Sequence, residues 1–339
     1  MTVETFELAP GYVIPRLIRG GWQLAGDHGD VDPARAIDDM AQFVRAGIDT
    51  FDCADIYTGV EALIGQYRLR DPSLKVHTKF VPDLEDLPRV DEAYVRRINA
   101  RSRERLNTDA LDLVQFHWWD YAVPGMVPVA KLLAQLRNEG LVRHLGGTNF
   151  DTPHTEQMLD AGVPLVSMQV QYSLLDRRPA GAMSALCARS PVRLLCYGTL
   201  AGGLLTERWL GADEPKGLTN RSHIKYKLVI DDFGGWAAFQ DLLALLKRIA
   251  DKHRVGLSAV ATRWVLDQPH VAAAIVGARY AAHLPEHLQV FSFALDAEDR
   301  AGIGKMLARC PGPQGDTYEL ERDRSGRHGR IMKYNLNKV

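Results

Sequence analysis

The chain has 339 residues, 46% hydrophobic and 24% charged, with 41 basic against 42 acidic side chains and a formal net charge of −1. That balance supplies no global field for nucleic acid or an anionic membrane, and the composition suits a soluble globular protein with a large core. Cys53, Cys187, Cys196 and Cys310 stand without CxxC spacing, which argues against a disulfide framework or a zinc knuckle and for a reducing, cytoplasmic compartment.

At the N-terminus, Met1 to Leu8 carries acids where a signal peptide needs basic residues, and nowhere does an apolar run approach about 18 residues. Secretion and membrane spanning are not expected. From there, short apolar, β-branched runs alternate with amphipathic stretches. Strands are expected near Pro15–Gly20, Asp49–Cys53, Lys75–Phe80, Leu111–His117, His144–Thr148, Leu165–Gln171, Arg193–Tyr197 and Ala272–Val276. Between them fall helices near Pro33–Ala46, Glu61–Tyr67, Asp91–Leu106, Val127–Glu139, Thr155–Ala161, Ala180–Ala188, Trp236–Lys252 and Ser258–Leu266. Asp32 before Pro33, and Asp151 before Thr152 and Pro153, supply an acceptor cap and a first-turn proline. Residues 206–235, rich in Gly, Pro and charge, read as a long loop able to fold over a ligand. Residues 311–339 read as a C-terminal extension packed on the main body.

Eight strand-helix units predict an α/β fold, a (β/α)8 TIM barrel, which typically takes about 250 residues. The whole chain, 1–339, is expected to be one domain built on that barrel. Such barrels keep their chemistry at the C-terminal ends of the strands. Asp52 and Tyr57 follow the second strand, Lys79 ends the third and His117 ends the fourth. A carbonyl that receives a hydride needs a proton on its oxygen, and a tyrosine with a pKa near 10 needs tuning to supply it. A neighbouring ammonium stabilises phenolate and an aspartate fixes the ammonium. Tyr57 is therefore expected to be the general acid/base, Lys79 its tuner, Asp52 the brace and His117 a donor that orients the carbonyl. Any one of these alone has a bland reading: a capping aspartate, a snorkelling lysine, a core histidine. Their joint placement outweighs it.

The remaining strand ends suit a planar, amide-bearing ligand: Thr148 and Asn149, Gln169, and Tyr197 as a stacking ring. The run Gly198-Thr199-Leu200-Ala201-Gly202-Gly203-Leu204 offers a backbone cradle for a pyrophosphate, and Gly277-Ala278-Arg279 leads into a helix where an isolated phosphate can sit. Trp22, Trp118 and Trp119, with Tyr57 and His117, are candidates for the substrate mouth; Tyr121 stands close by. His28, His223 and His328 show no metal spacing and read as surface or loop residues, and no metal is expected.

In order and context the carriers Asp52-Cys53-Ala54-Asp55-Ile56-Tyr57, Lys79, His117, Gly146-Gly147-Thr148-Asn149-Phe150, Gln169-Val170-Gln171-Tyr172 and Val276-Gly277-Ala278-Arg279 resemble the aldo-keto reductase superfamily over roughly residues 10–295. The resemblance implies a barrel without a Rossmann domain that binds NADP(H) extended and reduces carbonyls, with Asp52, Tyr57, Lys79 and His117 as the tetrad. It adds Gly21, Trp22 and Asp52 to the expected cofactor contacts, puts Thr148 where a serine is common, and makes His283, Glu286 and His287 adenosine neighbours, although the family's usual polar pattern there is replaced by His283-Leu284-Pro285-Glu286-His287. Arg279 remains to meet a 2′-phosphate, which favours NADP(H) over NAD(H). The expected partner is a small-molecule carbonyl or alcohol; no motif speaks to the oligomeric state. A different class, a cofactor-sensing regulatory subunit with slow or vestigial turnover, uses the same residues. A metal-dependent hydrolase lacks a second well-placed histidine.

Overall fold

A computed structural model describes residues 2–25 and 31–337, so His28 and the last two residues of the tail lie outside the described residues. Ten strands run through them: β1 (Thr5–Ala9), β2 (Tyr12–Pro15), β3 (Leu17–Gly20), β4 (Thr50–Asp52), β5 (Lys75–Phe80), β6 (Leu111–Phe116), β7 (Val142–Thr148), β8 (Leu165–Gln171), β9 (Arg193–Tyr197) and β10 (Val271–Gly277). Strands β3 to β10 pair in chain order, each parallel to the next, and β10 returns to β3 to close the barrel. The eight expected strands are these eight, with ends within two residues of those expected. Their apolar, β-branched runs are buried along most of their length, as strands covered on both faces must be.

The helices on the outside are α1 (Pro33–Arg45), α2 (Val60–Arg68), α3 (Glu92–Arg105), α4 (Met126–Asn138), α5 (Thr152–Asp160), α6 (Ala182–Ala188), α7 (Arg221–Phe233), α8 (Gly235–His253), α9 (Leu257–Leu266), α10 (Leu284–Leu288), α11 (Ala297–Arg309) and α12 (Glu319–Arg322). α1 starts where expected. The Asp32 carboxylate accepts from the backbone N–H of Ala34 and Arg35, at 3.0 and 3.3 Å, and Pro33 fills the first position, where no amide hydrogen is needed. Its residues Ala36, Ile37, Met40 and Phe43 are buried at helical spacing. Asp151 caps α5 in the same way through His154 N at 3.0 Å.

Two features depart from the sequence reading. β1 and β2 form an antiparallel hairpin ahead of the barrel. Its side chains Leu8, Ala9, Tyr12 and Ile14 pack with Ile18, Leu113, Leu195 and Ala273 in a second apolar cluster, which closes the N-terminal end of the barrel. The stretch expected as a long loop, 206–235, holds a 13-residue helix, α7. Asn220 caps it by accepting from His223 N at 3.2 Å, and Tyr226, Val229, Ile230 and Phe233 give it a buried stripe. The Gly and Pro residues that suggested a loop lie before Asn220 and at its far end, where they punctuate the helix rather than interrupt it.

The tail returns over the C-terminal ends of the strands. Arg178 holds it from below: its guanidinium donates to Asp176 Oδ1 and Oδ2 at 2.9 and 2.7 Å and to Glu321 Oε2 and Oε1 at 2.9 and 3.0 Å. Burial alone would push the Glu321 carboxyl up, but the charge and hydrogen bonds of Arg178 outweigh it and hold the group at about 2. From the next residue, Arg322 donates to the carbonyls of Trp118, of Trp119 at 2.8 Å and of Asn149 at 2.7 Å, while its guanidinium lies 3.9 Å from the centre of the Tyr121 ring.

Candidate active site

Residues at, or within two positions of, the C-terminal ends of the eight barrel strands converge on one cavity of about 490 Å³. They are Gly20, Asp52, Lys79, His117, Thr148, Gln169, Tyr197 and Gly277, in barrel order. Parallel strands of a closed barrel all end on the same rim, so residues distant in sequence become neighbours there.

Asp52 and Lys79 make the centre. The Lys79 ammonium donates to Asp52 Oδ1 at 2.7 Å, to Oδ2 at 3.0 Å and to the Cys53 carbonyl at 2.7 Å. Both side chains are 6% exposed. Burial works against the charge on Lys79, and Asp52 outweighs it, so the ammonium holds its proton more firmly than a free lysine. Asp52 Oδ2 also accepts from the side-chain amides of Gln115 at 3.0 Å and Gln169 at 2.7 Å. Gln115 is a brace the sequence reading overlooked; the signal was an amide two residues before His117, near the end of β6.

Tyr57 lies over this pair, with the Lys79 nitrogen 5.0 Å from its ring centre and Trp22 edge-on at 5.0 Å. The sequence reading has the ammonium lowering the phenol's pKa. Lys79 does pull it down, but burial is the larger effect and the net shift is upward. The group is therefore a phenol, a proton donor, through the neutral range.

His117 enters the same cavity. Its Nδ1 is 3.0 Å from the Thr148 carbonyl oxygen, which can only accept, so Nδ1 carries the hydrogen. Burial first, and the Arg322 cation second, lower the ring's pKa to about 3 and keep it neutral. Nε2 is then a buried lone pair without a hydrogen-bond partner among the described residues. The donor role expected for His117 gives way to an acceptor role in this tautomer.

Trp22 and Trp119 line the cavity with Tyr57 and His117, but Trp118 does not. Successive side chains leaving a strand alternate in direction, so His117 and Trp119 point inward while Trp118 turns away. It is fully buried and donates through Nε1 to the Val123 carbonyl at 3.1 Å.

Among the residues expected to hold a cofactor, Trp22, Asp52, Thr148, Asn149, Gln169, Tyr197, Gly198, Thr199, Leu200, Gly203 and Gly277 line the cavity. Gly21 and Leu204 do not. Gly21 lies tight against β4, where a Cβ would come 2.8 Å from the Asp52 carbonyl, and Leu204 is core. Ala278 is buried and Arg279 lies beyond the cavity, its guanidinium 5.3 Å from the Tyr280 ring centre, a ring that Arg35 approaches to 3.9 Å. His283 and Glu286 form an exposed pair at 3.5 Å, and burial lowers the pKa of His287 to about 4. His328, expected at the surface or in a loop, sits in a turn but is buried against Asp232 at 2.8 Å.

The residues present fit a nicotinamide. Asn149 Oδ1 accepts from Tyr197 Oη at 2.9 Å, and the Gln169 amide nitrogen donates to Asp52 and to Gln115 Oε1 at 3.0 Å. That leaves Asn149 Nδ2 as a donor and Gln169 Oε1 as an acceptor, the complement of a carboxamide. Gly203 has φ +94 and open space beyond it, which gives a ligand close access to backbone. Four cavity-lining residues were missed because α7 was read as loop: Arg221, Ser222, Lys225 and Tyr226. The tail adds Tyr318, Ile331, Met332, Lys333 and Leu336. Far from the cavity, His253, Asp296 and Asp299 come within metal-ligand reach of one another, but the Lys252 ammonium already sits on both aspartates at 2.6 and 3.0 Å.

Known proteins resemble the chain in sequence and in fold. A sequence model of the Aldo/keto reductase family matches residues 16–308. The chain is 28% identical to the aldo-keto reductase YhdN of Bacillus subtilis (strain 168), over 88% of this chain and 91% of that protein. It is 34% identical to flagellar radial spoke protein 5 of Chlamydomonas reinhardtii over 47% of this chain, and that match spans only 34% of the longer relative. Among solved structures, the glycerol dehydrogenase AKR11B4 from Gluconobacter oxydans superposes with a TM-score of 0.77 at 25% identity, covering 93% of this chain and 97% of that one.

Proposed function

The chain belongs to the aldo/keto reductase family, and from that premise we propose that it interconverts an aldehyde or ketone with its alcohol, using NADP(H) and Tyr57 as the general acid/base. The observation that carries this reading is the buried Lys79–Asp52 pair beneath the Tyr57 phenol, in the cavity that His117 also enters.

When bound, the nicotinamide supplies the hydride that the carbonyl carbon receives. The chain's own residues handle the proton and the positions. Tyr57 Oη donates to the carbonyl oxygen, where negative charge develops, and Lys79 stabilises the phenolate that remains. Asp52 keeps the ammonium charged and aimed, with Gln115 and Gln169 fixing the carboxylate in turn. Tyr57 Oη holds the carbonyl oxygen, and His117 Nε2, an acceptor, takes a hydrogen bond from the hydroxyl of the product alcohol once Tyr57 has given its proton. Trp22 and Trp119 wall the substrate and exclude water.

Asn149 Nδ2 and Gln169 Oε1 would hold the carboxamide, Tyr197 the ring face, and the backbone from Gly198 to Gly203 the pyrophosphate. NADP(H) is preferred over NAD(H) because Arg279 and Arg35 bring two guanidinium groups to Tyr280, just past β10. Guanidinium suits a phosphate monoester better than a ribose hydroxyl.

The pH profile tests the proton chemistry. Reduction needs protonated Tyr57, and burial raises its pKa, so kcat for reduction stays level through neutral pH and falls only as the pH climbs past that raised value. Alcohol oxidation needs phenolate and rises over the same alkaline range. Because the His117 pKa is lowered to about 3, no inflection is expected near 6.5, the ordinary value for histidine. Steady-state rates in both directions across pH check this; a fall in reduction at neutral pH would contradict Tyr57 as a raised-pKa donor.

A further inference from the structure

We propose that Lys225 is a specificity residue that recognises an anionic group, a carboxylate or a phosphate, on the carbonyl substrate. The inference rests on the reductase reading above and names the class of substrate that this cavity prefers.

Lys225 stands on α7. The neighbouring Tyr226 fixes that helix against the loop after β9: a Cβ at Gly198 would come 2.3 Å from Tyr226 Oη, and one at Gly202 would come 2.9 Å from its ring. Gly198 has φ +72, so only a residue without a side chain both takes that turn and leaves room for the tyrosine. With Tyr226 wedged there, Lys225 lies along the cavity wall. Its ammonium is 5.1, 5.6 and 5.9 Å from the ring centres of Tyr197, Tyr226 and Tyr318.

Three π faces soften the cost of that placement, but they do not supply a counter-charge. Among the described residues Lys225 has neither a hydrogen bond nor an ion pair. The carboxylates it senses, Glu321 and Asp176, are both already chelated by Arg178. Asp52 is the one carboxylate among the described residues lining the cavity, and it is held by Lys79, Gln115 and Gln169. Burial accordingly pulls the Lys225 pKa below that of a free lysine. A ligand anion would complete this cation with charge-assisted hydrogen bonds.

The position sets the size of the ligand. The Tyr318 ring lies 5.8 Å from the His117 ring and 5.9 Å from the Lys225 nitrogen, so one aromatic ring separates the oxygen-handling groups from the cation. A short substrate with its carbonyl at Tyr57 and His117, and its charge across the width of Tyr318, spans both.

The test compares 4-carboxybenzaldehyde with 4-methylbenzaldehyde, which differ in charge far more than in size. In the unmodified protein kcat/KM favours the carboxylate. In Lys225→Met the ratio of the two kcat/KM values falls about tenfold, through KM, and in Lys225→Arg it recovers. An unchanged ratio in Lys225→Met overturns the proposal. So does a weakened Kd for NADPH with the ratio intact, which would assign the cation to the cofactor's phosphates. Binding of 4-(hydroxymethyl)benzoate without oxidised cofactor, followed by tryptophan fluorescence, gives a readout independent of turnover. It weakens about tenfold in Lys225→Met whether or not either aldehyde is reduced, so a failure of the reductase reading is told apart from a failure of this one.

Discussion

Replacing Tyr57 with phenylalanine is expected to lower kcat for carbonyl reduction by about 10²–10⁴-fold, the range a positioned general acid supplies, while the Kd for NADPH stays unchanged. The substitution removes one oxygen and keeps the ring that packs edge-on to Trp22, so the cavity wall survives and only the proton donor is lost. Because Lys79 remains bonded to Asp52 and to the Cys53 carbonyl, no buried charge loses its partner. Steady-state kinetics together with a fluorescence titration of cofactor separate the two effects. Full turnover in Tyr57→Phe would remove Tyr57 from the chemistry.

The second large effect falls on stability. Lys79→Met leaves the Asp52 carboxylate buried, with two amide donors but no counter-charge, and breaking a buried pair from one side typically costs about 3–5 kcal/mol. Removing both charges, in Lys79→Met with Asp52→Asn, restores part of that loss because no unpaired ion remains, even though neither variant turns over. Thermal or denaturant unfolding of the two variants measures the difference. If the single variant is no less stable than the double one, the buried pair is not the charge-balanced centre described above. The same pair explains why the lysine is placed so precisely: its charge is costly to bury, and the carboxylate that offsets the cost also fixes where the nitrogen points.

Much of this was legible in the sequence because barrel strands are short apolar runs with sharp ends. Asp52, Lys79, His117, Gln169 and Tyr197 each interrupt or end such a run, which is why strand ends and cavity-lining residues were found together. What failed to show had local causes. The β1–β2 hairpin has strands of five and four residues with little periodicity to read. α7 was obscured by the Gly and Pro around it, and with it went Lys225 and Tyr226, whose neighbours in space lie on β9 and in the tail. Trp118 was assigned to the cavity from its place in a cluster of aromatics; the two-residue alternation of a strand already favoured Trp119. The direction of the Tyr57 pKa and the hydrogen on His117 Nδ1 depend on burial and on one backbone carbonyl, which no spacing of residues encodes.

The most direct measurement is the time course of nicotinamide absorbance when purified protein meets a panel of aldehydes and ketones with NADPH, and in parallel with NADH, the alcohol formed being quantified alongside. The account predicts that NADPH is consumed faster than NADH, one cofactor oxidised per alcohol made. Saturable binding of either cofactor with no consumption across the panel would contradict it and leave a dinucleotide-binding barrel without the chemistry assigned to Tyr57.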